Sequence, residues 1–147
     1  AGTILPSEGT VFISVKDSDK KAAGRIARDL GELGFKILAT GGTADYFKQE
    51  GIDVERVNKV LEGRPHCVDA ILSGEVQMIV NTTEGAQAVT DSFSIRNSAL
   101  TSSVPHYTTM AGAAAAVGAI WVQNSNDPDG NKGLEVAPLQ SYAKGSS

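Results

Sequence analysis

Four short polar stretches carry most of the chemistry this sequence offers. Ala39-Thr40-Gly41-Gly42-Thr43 sets two glycines between an apolar run and a helical one. Glycines there let backbone N–H groups approach an anion, and a helix start behind them contributes about half a positive charge. The motif is neither a Walker loop nor a G-x-G-x-x-G fingerprint, so it supplies half a phosphate site. Ser14 and Lys20 flank a charged turn. Lys20 also opens a helix, where the dipole disfavours a lysine unless an anion lies near. Lys59 adds a second cation, and Asn81, Thr82 and Thr83 add short side chains suited to hydroxyls and amide edges. A phosphate monoester carries about −1.5 to −2 charges near pH 7, which two lysines, two hydroxyls and a helix start roughly neutralise. The set points to a phosphorylated small molecule, most economically a nucleotide, with Asn81 and Thr83 suited to its sugar or base. The plain alternative is a set of ordinary polar loop residues.

Other constellations are weaker. His66 and Cys67 are adjacent, and adjacent residues on a helix point in different directions, so Cys67 reads as a buried small hydrophobe rather than a nucleophile. Two histidines and one cysteine make no metal-ligand spacing. Asp69 and Asp91 lack a second carboxylate at fixed spacing, so no general acid/base pair emerges.

The elements that must position these residues alternate in period. Residues 10–15 (TVFISV) read as a strand and residues 19–33 as a helix, with Asp17 or Ser18 as its N-cap and Gly34 at its end. Strands follow at 35–39, 53–57, 76–80 and 104–107. Helices follow at 43–50, 66–72, 82–103 (interrupted at Gly85) and 110–122, and 58–65 reads as a loop. This alternation predicts an α/β fold, a parallel sheet with helices on both faces, since parallel neighbours need crossover connections. Such sheets bind ligands beyond the carboxyl ends of their strands, where the four polar stretches fall.

With 147 residues the chain has room for one domain, and 41% hydrophobic and 20% charged residues place it among globular proteins. The net charge of −4, with basic residues scattered, argues against nucleic acid. The longest apolar run, residues 110–122, is too short to span a membrane, which takes about 20 residues. One cysteine excludes a disulfide framework and suggests a reducing compartment, the cytoplasm. The expected organisation is a linker at 1–9, a domain at 10–123, and a loop and tail at 124–147. The start at Ala1-Gly2-Thr3, without methionine or signal peptide, is that expected of a piece of something longer.

Ser14-Val15 with Lys20, the Thr40-Gly41-Gly42-Thr43 motif, Asn58-Lys59-Val60 with Glu62-Gly63-Arg64-Pro65-His66, Asn81-Thr82-Thr83, and Ile95-Arg96 with Ser98-Ala99-Leu100 together resemble a known family. It is the carboxy-terminal regulatory domain of the carbamoyl-phosphate synthase large subunit, a methylglyoxal-synthase-like domain. The resemblance implies three layers, with five mostly parallel strands, and an allosteric site for a nucleotide monophosphate such as UMP or IMP. It assigns phosphate contacts to Lys20, Thr40, Thr43 and Lys59, and sugar and base contacts to Ser14, Asn81 and Thr83. Some members also bind ornithine near the last strand. Thr108 matches one residue of that site, while His106 stands where the family has a tyrosine. Asn97 replaces the second arginine of the family's Ile-Arg-Arg-Ser-Ala-Leu.

The resemblance further implies that the chain carries no catalytic site and no cofactor or metal of its own. ATP and Mg or Mn would serve the parent enzyme elsewhere, in making carbamoyl phosphate for pyrimidine and arginine synthesis. The implied partners are the rest of the large subunit, through it the glutaminase small subunit, and a possible second copy. An enzyme alternative is methylglyoxal synthase, whose chemistry needs a carboxylate base in the segment after the third strand, near where Arg64 stands. A purely structural, oligomerising domain is a third reading.

Overall fold

A computed structural model describes residues 6, 8–59, 62–63, 66–82 and 86–125, with side-chain surroundings omitted for 86–92 and 125. Five strands alternate with five α-helices: β1 (Thr10–Ser14), α1 (Lys20–Glu32), β2 (Lys36–Ala39), α2 (Gly41–Gln49), β3 (Glu55–Arg56), α3 (Cys67–Leu72), β4 (Met78–Asn81), α4 (Ala86–Ser102), β5 (His106–Tyr107) and α5 (Met110–Ser125). All strand pairs are parallel, in the order β3-β2-β1-β4-β5. The expected five-stranded parallel architecture is the one observed.

The pleat divides the core in two. Val11 and Ile13 of β1 face one layer with Ala23, Ile26, Ala27 and Leu30 of α1, Phe47 of α2, and Val117 and Ile120 of α5. Phe12, between them, faces the opposite layer with Ile71 of α3 and Ile95 and Ala99 of α4. α1 packs against both α2 and α5, and α3 packs against α4. The alanine-rich α5 is therefore a core helix, burying Ala113 and Ala116. Because these side chains are fully enclosed, Phe47→Ala would cost about 3–5 kcal/mol in lost transfer energy and cavity formation.

The order of strands fixes the site. β1 connects outward to β2 and β3 through helices of one layer, and the chain then returns past β1 to β4 and β5 through helices of the other. Loops leaving β1 and β4 thus diverge to opposite faces, and the crevice between them lies at the carboxyl ends of adjacent strands.

Several element boundaries differ from expectation. Neither Asp17 nor Ser18 caps α1; a 3-10 turn, Asp17–Asp19, precedes it, and Asp19, at the N-cap, makes no side-chain cap bond. The two glycines at 41 and 42 form the first turn of α2 instead of lying before it. Asn81 is the last residue of β4. β3 and β5 shrink to two residues each because they are edge strands with one neighbour. α5 runs through Ser125, where the periodicity ended it at 122. Gly34 ends its helix as anticipated, at φ +95°.

Candidate functional site

The carboxyl end of β1 is the hub. Ser14 lies in register with Asn81 of β4, and Ile13 with Ala39 of β2, so the residues just beyond meet at one edge of the sheet. Ser14 Oγ and Thr40 Oγ1 are 2.8 Å apart, within hydrogen-bond distance. Thr40 is the N-cap of α2, with extended backbone, and its carbonyl accepts from Ala44 N at 2.8 Å, the first bond of the helix. The N–H groups of residues 41–43 precede that bond and have no helical acceptor, which makes this turn a cluster of outward donors.

Two threonines shape the exit of β1. Thr43 Oγ1 accepts from Val15 N at 3.1 Å and lies 3.4 Å from Val15 O, to which it donates. Thr82 Oγ1 accepts from Lys16 N at 3.1 Å, and Thr82 N donates to Ser14 O at 3.1 Å. Both side chains are buried. Thr43, expected at the phosphate, spends its hydroxyl on the Val15 backbone, and Thr82, just beyond β4, spends its own on Lys16 N.

The charges gather at the glycines. Lys20 has a side chain only 18% exposed and is paired with the exposed carboxylate of Asp17. A methyl group on Gly42 would lie 3.3 Å from Lys20 Nζ, and one on Gly41 would lie 3.5 Å from an Arg56 guanidinium nitrogen. Glycine at both positions leaves room for two cations against the helix turn. The anion anticipated beside Lys20 is, within this chain, Asp17, and that pairing holds the Asp17 carboxyl below the usual carboxylate range.

Ser14, Lys20, Thr40, Thr43 and Asn81 thus meet at one crevice. Lys59 stands exposed on the loop after β3, its N–H donating to Glu62 Oε1 at 2.8 Å. Thr83, Arg64 and the segment 126–147 lie outside the described residues. Thr108 is exposed after β5, and its neighbour Thr109 starts α5 by accepting from Gly112 N at 3.1 Å. His66 caps α3 in reciprocal bonds with Asp69, and Cys67 is buried in the core. Sequence reasoning missed Arg56. Alternation along β3 was legible, but which side chain faces α2 depends on register with β2. Among the described residues no group of three potential metal ligands occurs, and no helix is long and apolar enough to cross a membrane. A cleft of about 560 Å³ lined by Ala27, Phe35, Ile52 and Val54 lies instead at the amino ends of β2 and β3, away from these residues.

A family model described as the MGS-like domain matches residues 23–108. The chain is 51% identical over 142 residues, 97% of its length, to the carbamoyl phosphate synthase large chain of Rhizobium meliloti (strain 1021), and 48% identical over 97% to that of Myxococcus xanthus (strain DK1622). It spans only 12% and 13% of those relatives' lengths. Among solved structures it is similar to methylglyoxal synthase from Elizabethkingia anophelis NUHP1, with a TM-score of 0.61 and 19% identity, covering 77% of this chain and 79% of that one. That likeness is one of fold.

Proposed function

Because the chain belongs to the MGS-like domain family and has relatives at about half identity among carbamoyl phosphate synthase large chains, we propose that it is the effector-binding module of such a large chain. It binds a nucleotide monophosphate of the UMP or IMP type at the carboxyl ends of β1, β2 and β4 and modulates carbamoyl phosphate synthesis elsewhere in the protein. The observation that carries this reading is the convergence of Lys20, Thr40 and the Gly41–Gly42 turn with Ser14 and Asn81. Phosphate belongs at the α2 turn against Lys20, with Lys59 closing from the loop after β3. Ser14, Asn81 and Thr83 serve the sugar and base.

Coupling to distant active sites typically amounts to about 1–3 kcal/mol and requires two arrangements of a domain contact. The partners are the remaining large chain and, through it, the glutaminase subunit, in the cytoplasm. ATP and its metal act in those other parts. Thr108 marks the place of a second effector.

Phosphate elimination, as in methylglyoxal synthase, needs a carboxylate to take a carbon-bound proton. In the segment after β3, Glu62 accepts from Lys59 N and the sequence continues with Arg64. A binding role therefore suits this chain better. The test is calorimetric titration with UMP and then IMP, beside Lys20→Ala. Saturable binding that the variant loses supports the reading. Absence of binding, or methylglyoxal formed from dihydroxyacetone phosphate, overturns it.

A further inference from the structure

Arg56 belongs to β3, in register with Ala39 of β2. Ala39 faces the layer of α1, α2 and α5. Parallel neighbours in register share a face, so Arg56 rises beside α2, and its guanidinium lies 3.5 Å from where a Gly41 Cβ would be. The adjacent Glu55 falls on the opposite face and pairs with Lys36 at 2.7 Å. Lys20 approaches the next residue of the turn, Gly42. Successive helix positions differ by about 100°, so the two cations flank the turn from different sides. Two like charges against unbonded N–H groups form an arrangement that repels itself unless an anion sits between them. Among the described residues, Asp17 pairs with Lys20.

We propose that Arg56 is a specificity-determining residue of this site, a second cation that makes it select doubly charged phosphate monoesters over singly charged ones. The inference rests on the nucleotide-binding reading above and deepens it. Lys20, partly neutralised by Asp17, suffices for one negative charge. A planar guanidinium opposite it offers paired N–H donors to two phosphate oxygens and balances the second charge. Asp45 follows the turn on α2, and Lys59, Glu62 and His66 lie on the segment after β3.

The experiment is titration of the 147-residue chain with UMP, and then IMP, at pH 5.5 and 7.5, for the wild type, Arg56→Gln and Arg56→Lys. A phosphate monoester loses its second proton near pH 6, so these conditions compare monoanion with dianion. The wild type is expected to bind several-fold more tightly at pH 7.5. Arg56→Gln is expected to lose about tenfold at pH 7.5, to change little at pH 5.5, and so to flatten the profile. Arg56→Lys should restore part of the slope. Wild-type binding with an unchanged profile in Arg56→Gln overturns the proposal while leaving the site standing. Absence of wild-type binding overturns the site itself and the proposal with it. Arg56 is exposed, so the variant should fold, and matching thermal melts confirm that it does.

Discussion

Lys20 and Asp17, three residues apart, form an ion pair in which the lysine is largely buried and the aspartate almost fully exposed. The carboxylate therefore sits at the mouth of the crevice on the same ammonium that a phosphate would use. An incoming anion must displace it or tolerate it. With a like charge about 5 Å away in water-like dielectric, Coulomb's law weakens binding by about fourfold. Asp17→Asn is expected to tighten nucleotide binding by about that factor in a calorimetric titration. Unchanged affinity would show that Asp17 swings clear when ligand enters.

Gly42 separates stability from function. It occupies the second position of α2 and is exposed, so alanine there gains helix propensity worth up to about 1 kcal/mol. The new methyl would meet only the flexible end of Lys20 at 3.3 Å. Gly42→Ala should hold or raise the urea midpoint while weakening phosphate binding by moving the ammonium. A variant that binds as the wild type does would remove Lys20 from the site.

The fold was largely legible because its apolar runs alternate so regularly in period. TVFISV at 10–15 and the 3.6-residue spacing of Ile26, Leu30 and Leu33 allowed little else. What the sequence left open was register and local capping. Nothing in it told that Gly41 and Gly42 would join the helix, because a glycine pair is equally at home in a turn. The crevice was legible through Ser14, Lys20 and Thr40. Arg56 was hidden because a side chain in a two-residue edge strand is assigned a face only by pairing, here with Ala39. Thr43 carried a different ambiguity, since a hydroxyl suited to phosphate is equally suited to the Val15 backbone it actually binds.

Two half-buried groups, Asp29 and His106, should oppose each other as the pH falls below 7. Asp29 of α1 is half-buried, and that burial, reinforced by Glu32, raises its carboxyl from 3.8 to about 6. Between those values the folded state holds more protons than the unfolded one, so this group makes stability rise as pH falls through 6. His106, in register with Ile79 of β4, keeps its Nε2 buried without a hydrogen-bond partner among the described residues. Burial first, then the charge of Arg96, lowers its pKa. The unfolded state takes up the proton first, so stability is lost as pH falls through 6.5. Asp29→Asn should therefore stabilise the domain at pH 7 by about 1 kcal/mol, the shift being discounted for solvent screening. It should also unmask a steady decline in urea midpoint from pH 7 to 5. A parallel displacement with no change of slope would show that Asp29 ionises normally.

The end of α4 stores strain that one substitution releases. Ser103 sits at φ +56°, the left-handed region, because Val104 N donates to Ala99 O at 2.9 Å and Ser103 N to Leu100 O at 3.3 Å. These bonds close a Schellman turn, whose left-handed position is ordinarily a glycine. A side chain there costs about 1–2 kcal/mol, and glycine returns part of that gain as greater freedom in the unfolded chain. Ser103→Gly is expected to raise stability by about 0.5 kcal/mol, and Ser103→Val to lower it by about 1 kcal/mol, since a β-branched residue tolerates positive φ least. Denaturant melts of the two variants against wild type decide the matter. If both match it, the turn can re-form with residue 103 outside the left-handed region, and the Val104–Ala99 bond is not what holds α4 to β5.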